Sequence, residues 1–315
     1  MVIEEQLTQM NIQTLQTLLE KSSENLTLEF KRLFHGRGGL YDGWNFLTID
    51  SIDSILSVAL YFEMDESLEN ELITMLKNFI SKTRHSTIVV QKRYIKGSPS
   101  EIIEGEIRDN LYVVENGVKI KLNLLSNRNN GYFPDMKNGR QFVRENAKDK
   151  NVLNLFSYTC AFSLYAKLGG ASHISNIDMS KGALSTGRAN HHLNDLETRN
   201  VSFHPYNILK SFSRIKKKGP YGLIIIDPPT FQKGSFEATK DYRKLIMKLP
   251  QIASEDCILL ACLNSPDLES EFIINLIKEL APSFKFVKRL ENLKEFASMD
   301  EERSLKNLVF QREKI

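Results

Sequence analysis

Asp227 ends the apolar run Leu223-Ile224-Ile225-Ile226 and is followed at once by Pro228 and Pro229. Four apolar residues, three of them isoleucine, read as a buried strand. Two prolines cannot extend a ladder, because they carry no backbone donor. Proline also biases the residue before it to extended geometry, so the Asp227 carboxylate is expected at the strand mouth in one pose. A stiff acceptor there suits chemistry on a planar group; the plainer reading is a turn that stops a strand.

Other polar residues stand at similar places. Asp178, in Ile177-Asp178-Met179-Ser180, lies about 20 residues beyond an earlier strand-to-helix loop, where a carboxylate can accept both hydroxyls of a ribose. It suits the N-cap of the following helix equally well. Asn207, in Pro205-Tyr206-Asn207-Ile208, suits either an adenine edge or the capping of a turn. The earlier loop, Asn154 to Phe162, contains no glycine. A dinucleotide enzyme needs G-x-G-x-x-G there so that backbone amides approach a pyrophosphate. A nicotinamide oxidoreductase is therefore disfavoured, and a nucleoside ligand without a diphosphate fits better.

The elements that must hold these residues follow a strand–helix alternation that begins near Asn151: VLNLF, HISNID, VSFHPY, LIIID and CILLACL, with helical stretches between. Such alternation predicts a doubly wound, mostly parallel α/β sheet, with ligands beyond the carboxyl ends of its strands. Upstream, residues 1–34 read as helical, with the glycine-rich His35–Gly39 stopping the helix. WNFLTID and SILSVALYF read as paired strands, and Glu66–Ile80 as an amphipathic helix. Thr87–Arg93, Leu111–Val114 and Val118–Leu124 read as further strands, the last two joined by the turn Glu115-Asn116-Gly117. The expected organisation is a helical extension over residues 1–40, an α+β domain over 41–125 and a ligand-binding domain over 126–315.

At 315 residues, 41% of them hydrophobic, the chain can bury two cores. A net charge of +3 permits an acidic partner without demanding one. Cys160, Cys257 and Cys262 are too few and too unevenly spaced for a disulfide framework or a zinc site, and no metal is expected. MVIEEQLTQM lacks the basic and apolar regions of a signal peptide, and no apolar run approaches a membrane span. A cytoplasmic protein with no membrane partner is expected, with a homodimer left open.

Taken together, these residues resemble the class I S-adenosylmethionine-dependent methyltransferases. The nearest group is the bacterial large-subunit rRNA methyltransferases that modify cytosine carbon 5 or guanine nitrogen 7. The resemblance covers roughly residues 41–315. Gly131-Tyr132-Phe133-Pro134-Asp135-Met136-Lys137-Asn138-Gly139-Arg140 looks like the group's TGxFLDQRxNR signature. NLFSYTCAFS resembles its NLFSYTGGFS loop, IDMS its ribose-binding turn and DPPTF its catalytic motif. The resemblance implies a Rossmann-like catalytic domain preceded by a smaller α+β domain, S-adenosylmethionine as cofactor and rRNA as substrate. By that match Phe133, Asp135, Arg140, Phe156, Ser157, Tyr158, Thr159, Asp178, Met179, Asn207 and Asp227 line the cofactor pocket. Three departures stand out. Cys160 and Ala161 replace two glycines, Asn207 replaces an acidic residue, and the group's appended RNA-binding module is not recognisable in residues 1–40.

Methylating cytosine at carbon 5 requires a thiolate to add to the neighbouring ring carbon first. The cysteine-using members carry FSCS after the fifth strand, whereas guanine-N7 members carry FSNN. Here Ile258-Leu259-Leu260-Ala261-Cys262-Leu263-Asn264-Ser265 places Asn264 at the cysteine position, so guanine N7 is favoured over cytosine C5. Cys262 reads as a core thiol, although it shares a strand face with Asn264. Adenine N6 is weakened by Thr230, which follows the prolines where an aromatic is wanted. Asp227, Pro228, Phe231 and Asn264 form the expected base side, with Phe231 or Phe236 as a stacking ring or as core. Lys92, Arg93 and Lys96, the run Lys216–Lys218, and His35 with Arg37 are candidate phosphate contacts, while His191 and His192 read as helix surface. The competing function is a non-catalytic RNA-binding or assembly protein on the same fold.

Overall fold

The computed structural model describes residues 11–24, 26–125, 129–229, 231–232 (backbone only) and 236–313. These divide into two compact units, one reaching to Pro134 and including Leu293–Asp300, the other formed by Asp135–Asn292 and residues from Glu301 onward.

The first unit holds α1 (Ile12–Ser22), β1 (Lys31–His35), β2 (Leu47–Ile52), β3 (Ile55–Leu60), α2 (Glu66–Ile80), β4 (Thr87–Lys92), β5 (Ser100–Glu104), β6 (Tyr112–Glu115) and β7 (Val118–Lys121). Five strands form one sheet in the order β1-β2-β3-β4-β5, while β6 and β7 make a separate hairpin. Its turn has Asn116 and Gly117 at positive φ, as a two-residue hairpin loop requires. Helix α2 runs over the expected residues, capped by Asp65, whose side chain accepts from the Ser67 amide. It buries Leu72, Met75, Leu76, Phe79 and Ile80.

The helical reading of residues 1–34 fails at its end. Lys31–His35 is a strand, because it pairs antiparallel with Leu47–Ile52, and tertiary pairing overrides local periodicity. Residues 1–10 lie outside the described residues. The expected boundaries at 40 and 125 are also carried differently: β1 belongs to the five-stranded sheet, and Leu293–Asp300 joins the first unit although it lies far along the chain.

The second unit holds α3 (Lys137–Asn146), β8 (Asn151–Leu155), α4 (Ala161–Leu168), β9 (His173–Asp178), α5 (Lys181–Leu193), β10 (Val201–Pro205), α6 (Phe212–Lys216), β11 (Tyr221–Ile226), β12 (Phe231–Gln232), β13 (Phe236–Glu237), α7 (Ala238–Ile246), β14 (Ala253–Leu263), α8 (Ser270–Leu280), β15 (Phe284–Leu290) and β16 (Lys306–Arg312). Seven strands lie in the order β10-β9-β8-β11-β14-β16-β15. The first five run parallel, and β16 is antiparallel to both neighbours. The sheet is therefore doubly wound, with its switch of direction between β8 and β11.

The run Leu223–Ile226 explains how this sheet is held. Successive side chains of a strand point to opposite faces. Leu223 and Ile225 enter one core with Val152 and Val143, while Ile224 and Ile226 enter the other with Leu153 and Leu155. All four are fully buried, and each contributes on the order of 1.5–3 kcal/mol of transfer free energy. Among the described residues no helix is long and apolar enough to cross a membrane.

Candidate active site

Because β8, β9, β10, β11 and β14 are parallel, their carboxyl ends share one edge of the sheet. That edge gathers the Phe156–Thr159 loop, Asp178-Met179, Asn207, Asp227-Pro228 and Asn264, all predicted as site residues. Asp135 and Arg140 join them electrostatically, since both act on the Asp227 carboxyl. Phe133 lies in the first unit and is exposed.

The loop after β8 folds back on itself. Phe156, Tyr158 and Cys160 all have positive φ, at 58°, 45° and 61°, a region costly for residues with a Cβ. Hydrogen bonds hold it there: Ser157 N–H donates to the Ile177 carbonyl (3.1 Å) and Cys160 N–H to the Ser157 carbonyl (2.7 Å). The Asn190 amide donates to the Thr159 carbonyl (3.0 Å). Cys160, which replaces a glycine of the resembling group, is accommodated by a glycine opposite. A Cβ on Gly187 of α5 would lie 2.4 Å from the Cys160 sulfur, so only glycine leaves the thiol its space.

Asp178 organises this loop. One carboxylate oxygen accepts the Tyr158 N–H (2.9 Å) and the other the Ser180 N–H (2.8 Å). Each oxygen has two lone pairs, so the carboxylate retains acceptor capacity for a diol. The N-cap of α5 is Ser180, whose side chain accepts from Ala183. Asp178 is therefore not the cap that the sequence also allowed. Asn207 does cap a turn: its carbonyl oxygen accepts the Lys210 N–H (3.1 Å), while its amide nitrogen lies 3.6 Å from the Met179 sulfur. Met179 is 46% exposed, an apolar surface beside a polar one.

At the end of β11, Pro228 is buried and Asp227 half-buried. Burial pushes the Asp227 carboxyl up to about 7; nearby Asp135 adds to the shift and the Arg140 guanidinium opposes it. Arg140 is 2% exposed. The predicted stiff corner is thus an acid poised to hold or release a proton near neutrality.

The remaining predicted residues divide. Asn264 is exposed, but Cys262 is wholly buried in the core that also holds Val143 and Phe162. Its thiol is raised well above the ordinary range by burial, then by Asp227 and Asp135. Phe236 is core, edge-on to Phe156 at 4.9 Å, and so is not a stacking ring. The side chain of Phe231, and Thr230 altogether, lie outside the described residues. His191 is not on the surface: it is fully buried, with Nδ1 donating to the Gly187 carbonyl (2.8 Å) and Nε2 facing the Ser163 hydroxyl (3.1 Å). The Ser163 oxygen accepts from Asn176, whose carbonyl oxygen accepts from Asn154. This buried polar chain fastens α4 and α5 to β8 and β9, beneath the loop. His35 is no phosphate ligand either, since Arg32 bonds its Nδ1 at 2.8 Å and burial lowers it to about 3. Among the described residues no group of His, Cys, Asp and Glu could hold a metal ion.

Two site-supporting residues escape sequence reasoning. Tyr242 of α7 is fully buried and donates its hydroxyl to the Cys262 carbonyl (2.6 Å), with the Ile226 carbonyl at 3.3 Å, tying the ends of β14 and β11 together. Lys306 of β16 is fully buried, and its ammonium bonds the carbonyls of Ser265 and Ser304 (both 2.9 Å) and that of Glu302. It thereby anchors the turn that carries Asn264. Tyr242 lies in an ordinary apolar helix face and Lys306 in an unremarkable charged segment, so neither gives a local signal.

The strand order, the switch point and the edge of carboxylates define a class I methyltransferase fold. The chain belongs to the S-adenosylmethionine-dependent methyltransferase family, whose model matches residues 31–311. The Ribosomal RNA large subunit methyltransferase I of Aeromonas salmonicida is 30% identical over 249 residues, covering 76% of this chain and 63% of that protein. A proposed ribosomal RNA large subunit methyltransferase of Bacillus subtilis is 31% identical over 249 residues, covering 74% and 60%. The chain thus spans less than two thirds of the length of these relatives. A proposed SAM-dependent methyltransferase from Streptococcus mutans has the same fold, with a TM-score of 0.84 at 24% identity over 96% of this chain and 82% of that one. The retained acceptor capacity of Asp178 and the exposed Met179 beside it fit the ribose and adenine parts of S-adenosylmethionine.

Proposed function

We propose that this protein methylates a base of large-subunit ribosomal RNA, at guanine nitrogen 7 rather than cytosine carbon 5. The observation that carries the choice of atom is the state of its cysteines. The chain has three, Cys160, Cys257 and Cys262, all buried. Burial pushes Cys160 and Cys257 up to about 12 and raises Cys262 well above its ordinary value. Covalent addition to a pyrimidine needs an accessible thiolate, whereas guanine N7 offers its own in-plane lone pair.

In this reading Asp178 accepts the ribose hydroxyls of the cofactor, Met179 and Asn207 meet its adenine, and Asp135, Arg140 and the Phe156–Thr159 loop hold its methionine part. When bound, S-adenosylmethionine supplies an electrophilic methyl group on a sulfonium. Asp227 positions the base and accepts a hydrogen bond from it, with Pro228 fixing its backbone, while Asn264 contacts the base from the next strand end. A near-neutral Asp227 suits this task, because it ionises more readily as positive charge develops beside it.

The test incubates the protein and isotopically methyl-labelled S-adenosylmethionine with rRNA from a strain lacking the gene, followed by nucleoside mass spectrometry. Labelled 7-methylguanosine, formed equally by Cys262→Ala, is expected. Labelled 5-methylcytidine would overturn the choice of atom. Failure to bind the cofactor in calorimetry at millimolar concentration would overturn the methyltransferase reading.

A further inference from the structure

The first unit carries a cluster that the methyl-transfer site does not use. Strands β1, β3 and β4 run in one direction, because β1 and β3 are both antiparallel to β2 and β4 is parallel to β3. Their carboxyl ends, and the segments Gly36–Gly39, Tyr61–Met64 and Arg93–Ser98, therefore emerge at the same end of the sheet. There the guanidinium carbon of Arg37 lies 4.4 Å from the centre of the Tyr61 ring, and that of Arg93 lies 5.2 Å from the same ring. The two cations are within about 10 Å of one another, comparable to the Debye length of ~10 Å at 0.1 M salt. They meet an approaching polyanion as one doubly charged site.

Both arginines are held in place. Arg37 sits between Gly36 and Gly38 in a 3-10 turn, and a Cβ on either glycine would lie about 2 Å from a backbone carbonyl oxygen, of Trp44 or Ala297 respectively. Arg93 follows β4 directly, its N–H bonded to the Leu60 carbonyl (2.7 Å) and its guanidinium to the Asn129 side chain (3.3 Å). Among the described residues neither arginine is in an ion pair, although Asp42 and Glu63 stand on neighbouring segments. Phe62 and Ile95, one and two positions beyond Tyr61 and Arg93, are 51% and 43% exposed. Exposed apolar surface beside fixed guanidinium forks suits splayed bases and their phosphates better than a closed duplex.

We infer that Arg37, Tyr61 and Arg93 form a docking site for an unpaired segment of the substrate RNA, remote in sequence from the methyl-transfer residues. The two guanidinium groups take phosphates, and Phe62 and Ile95 lie against bases. The inference rests on the RNA reading above, and the experiment separates the two.

Binding of the full chain to a fluorescein-labelled single-stranded RNA is followed by anisotropy at increasing KCl. Each phosphate contact on a single strand contributes about 0.7 to the slope of log affinity against log salt. Arg37→Ala with Arg93→Ala should therefore lower that slope by about 1.4 and weaken binding about tenfold at 0.1 M salt. Lys82→Ala, at the far end of the sheet, should leave binding unchanged. Thermal melts and cofactor calorimetry confirm that the variants are folded. An unchanged slope in the double variant, with the unaltered chain still binding, overturns the site but leaves the RNA reading standing. No RNA binding by the unaltered chain overturns both. Equal competition by polyglutamate would mark the cluster as a site for acidic protein and overturn the RNA assignment.

Discussion

Replacing Asp227 with asparagine should stabilise the protein in alkali while slowing its chemistry. The Asp227 carboxyl is raised from 3.8 to about 7, chiefly by burial and secondly by Asp135, against the opposing Arg140. At ~1.4 kcal/mol per tenfold change in proton affinity, ionising it in the folded state costs about 4 kcal/mol. Asp227 retains part of its surface, and water screening reduces this to about 2 kcal/mol. The sign follows from linkage. Between pH 3.8 and 7 the folded chain binds a proton that the unfolded chain has released, so this contribution is full below 3.8 and lost as pH rises through 7. Asparagine is neutral throughout. The variant should be more stable than the unaltered protein by about 2 kcal/mol at pH 8, the gap narrowing as pH approaches 4. Urea denaturation at several pH values measures this. The only tryptophan, Trp44, lies in the first unit, so the transition should be followed by hydrogen exchange of β11 and β14 amides instead. Methylation should fall by on the order of a hundredfold or more. A variant destabilised at every pH, or a gap that ignores pH, would refute the reasoning.

Three other outcomes are expected. Burial lowers His35 to about 3 and His85 to about 4. First-unit stability, read by Trp44 fluorescence, should be full above pH 6.5 and fall as pH drops from 6.5 toward 4; His35→Gln should flatten that slope. Gly187→Ala should cost about 1–3 kcal/mol through collision with Cys160. Cys160→Gly should be nearly neutral alone and should recover much of that loss in the double variant, giving a coupling energy of about 1 kcal/mol in thermal melts. Lys306→Met strips the ammonium from three backbone carbonyls. It should destabilise by roughly 2–3 kcal/mol and lower kcat more than it raises the cofactor KM, because it loosens the Asn264 turn.

The strand ends were legible in the sequence because the rules that write them are local. A run of four apolar residues closed by two prolines fixes a strand and its stop within seven residues. Asn116-Gly117 fixes a hairpin, and the apolar periodicity over Glu66–Ile80 fixes α2. Parallel alternation then places every such end at one edge, so Asp178, Asn207, Asp227 and Asn264 could be gathered without coordinates.

The environment of those residues is a long-range property. Lys31–His35 became a strand because its partner, Leu47–Ile52, is presented across an intervening loop. Asp227 is near neutrality because burial and Asp135, some ninety positions upstream, act on the same carboxyl. Cys160 stands in a glycine's place only because Gly187 yields the volume. His191, with a surface-like neighbour in His192, is buried because a hydroxyl and a carbonyl satisfy its ring. The sequence by itself determined which groups stand at the strand ends. Only the tertiary structure decided which are charged, which are accessible and what holds them, because desolvation and packing depend on neighbours that the chain supplies from far away.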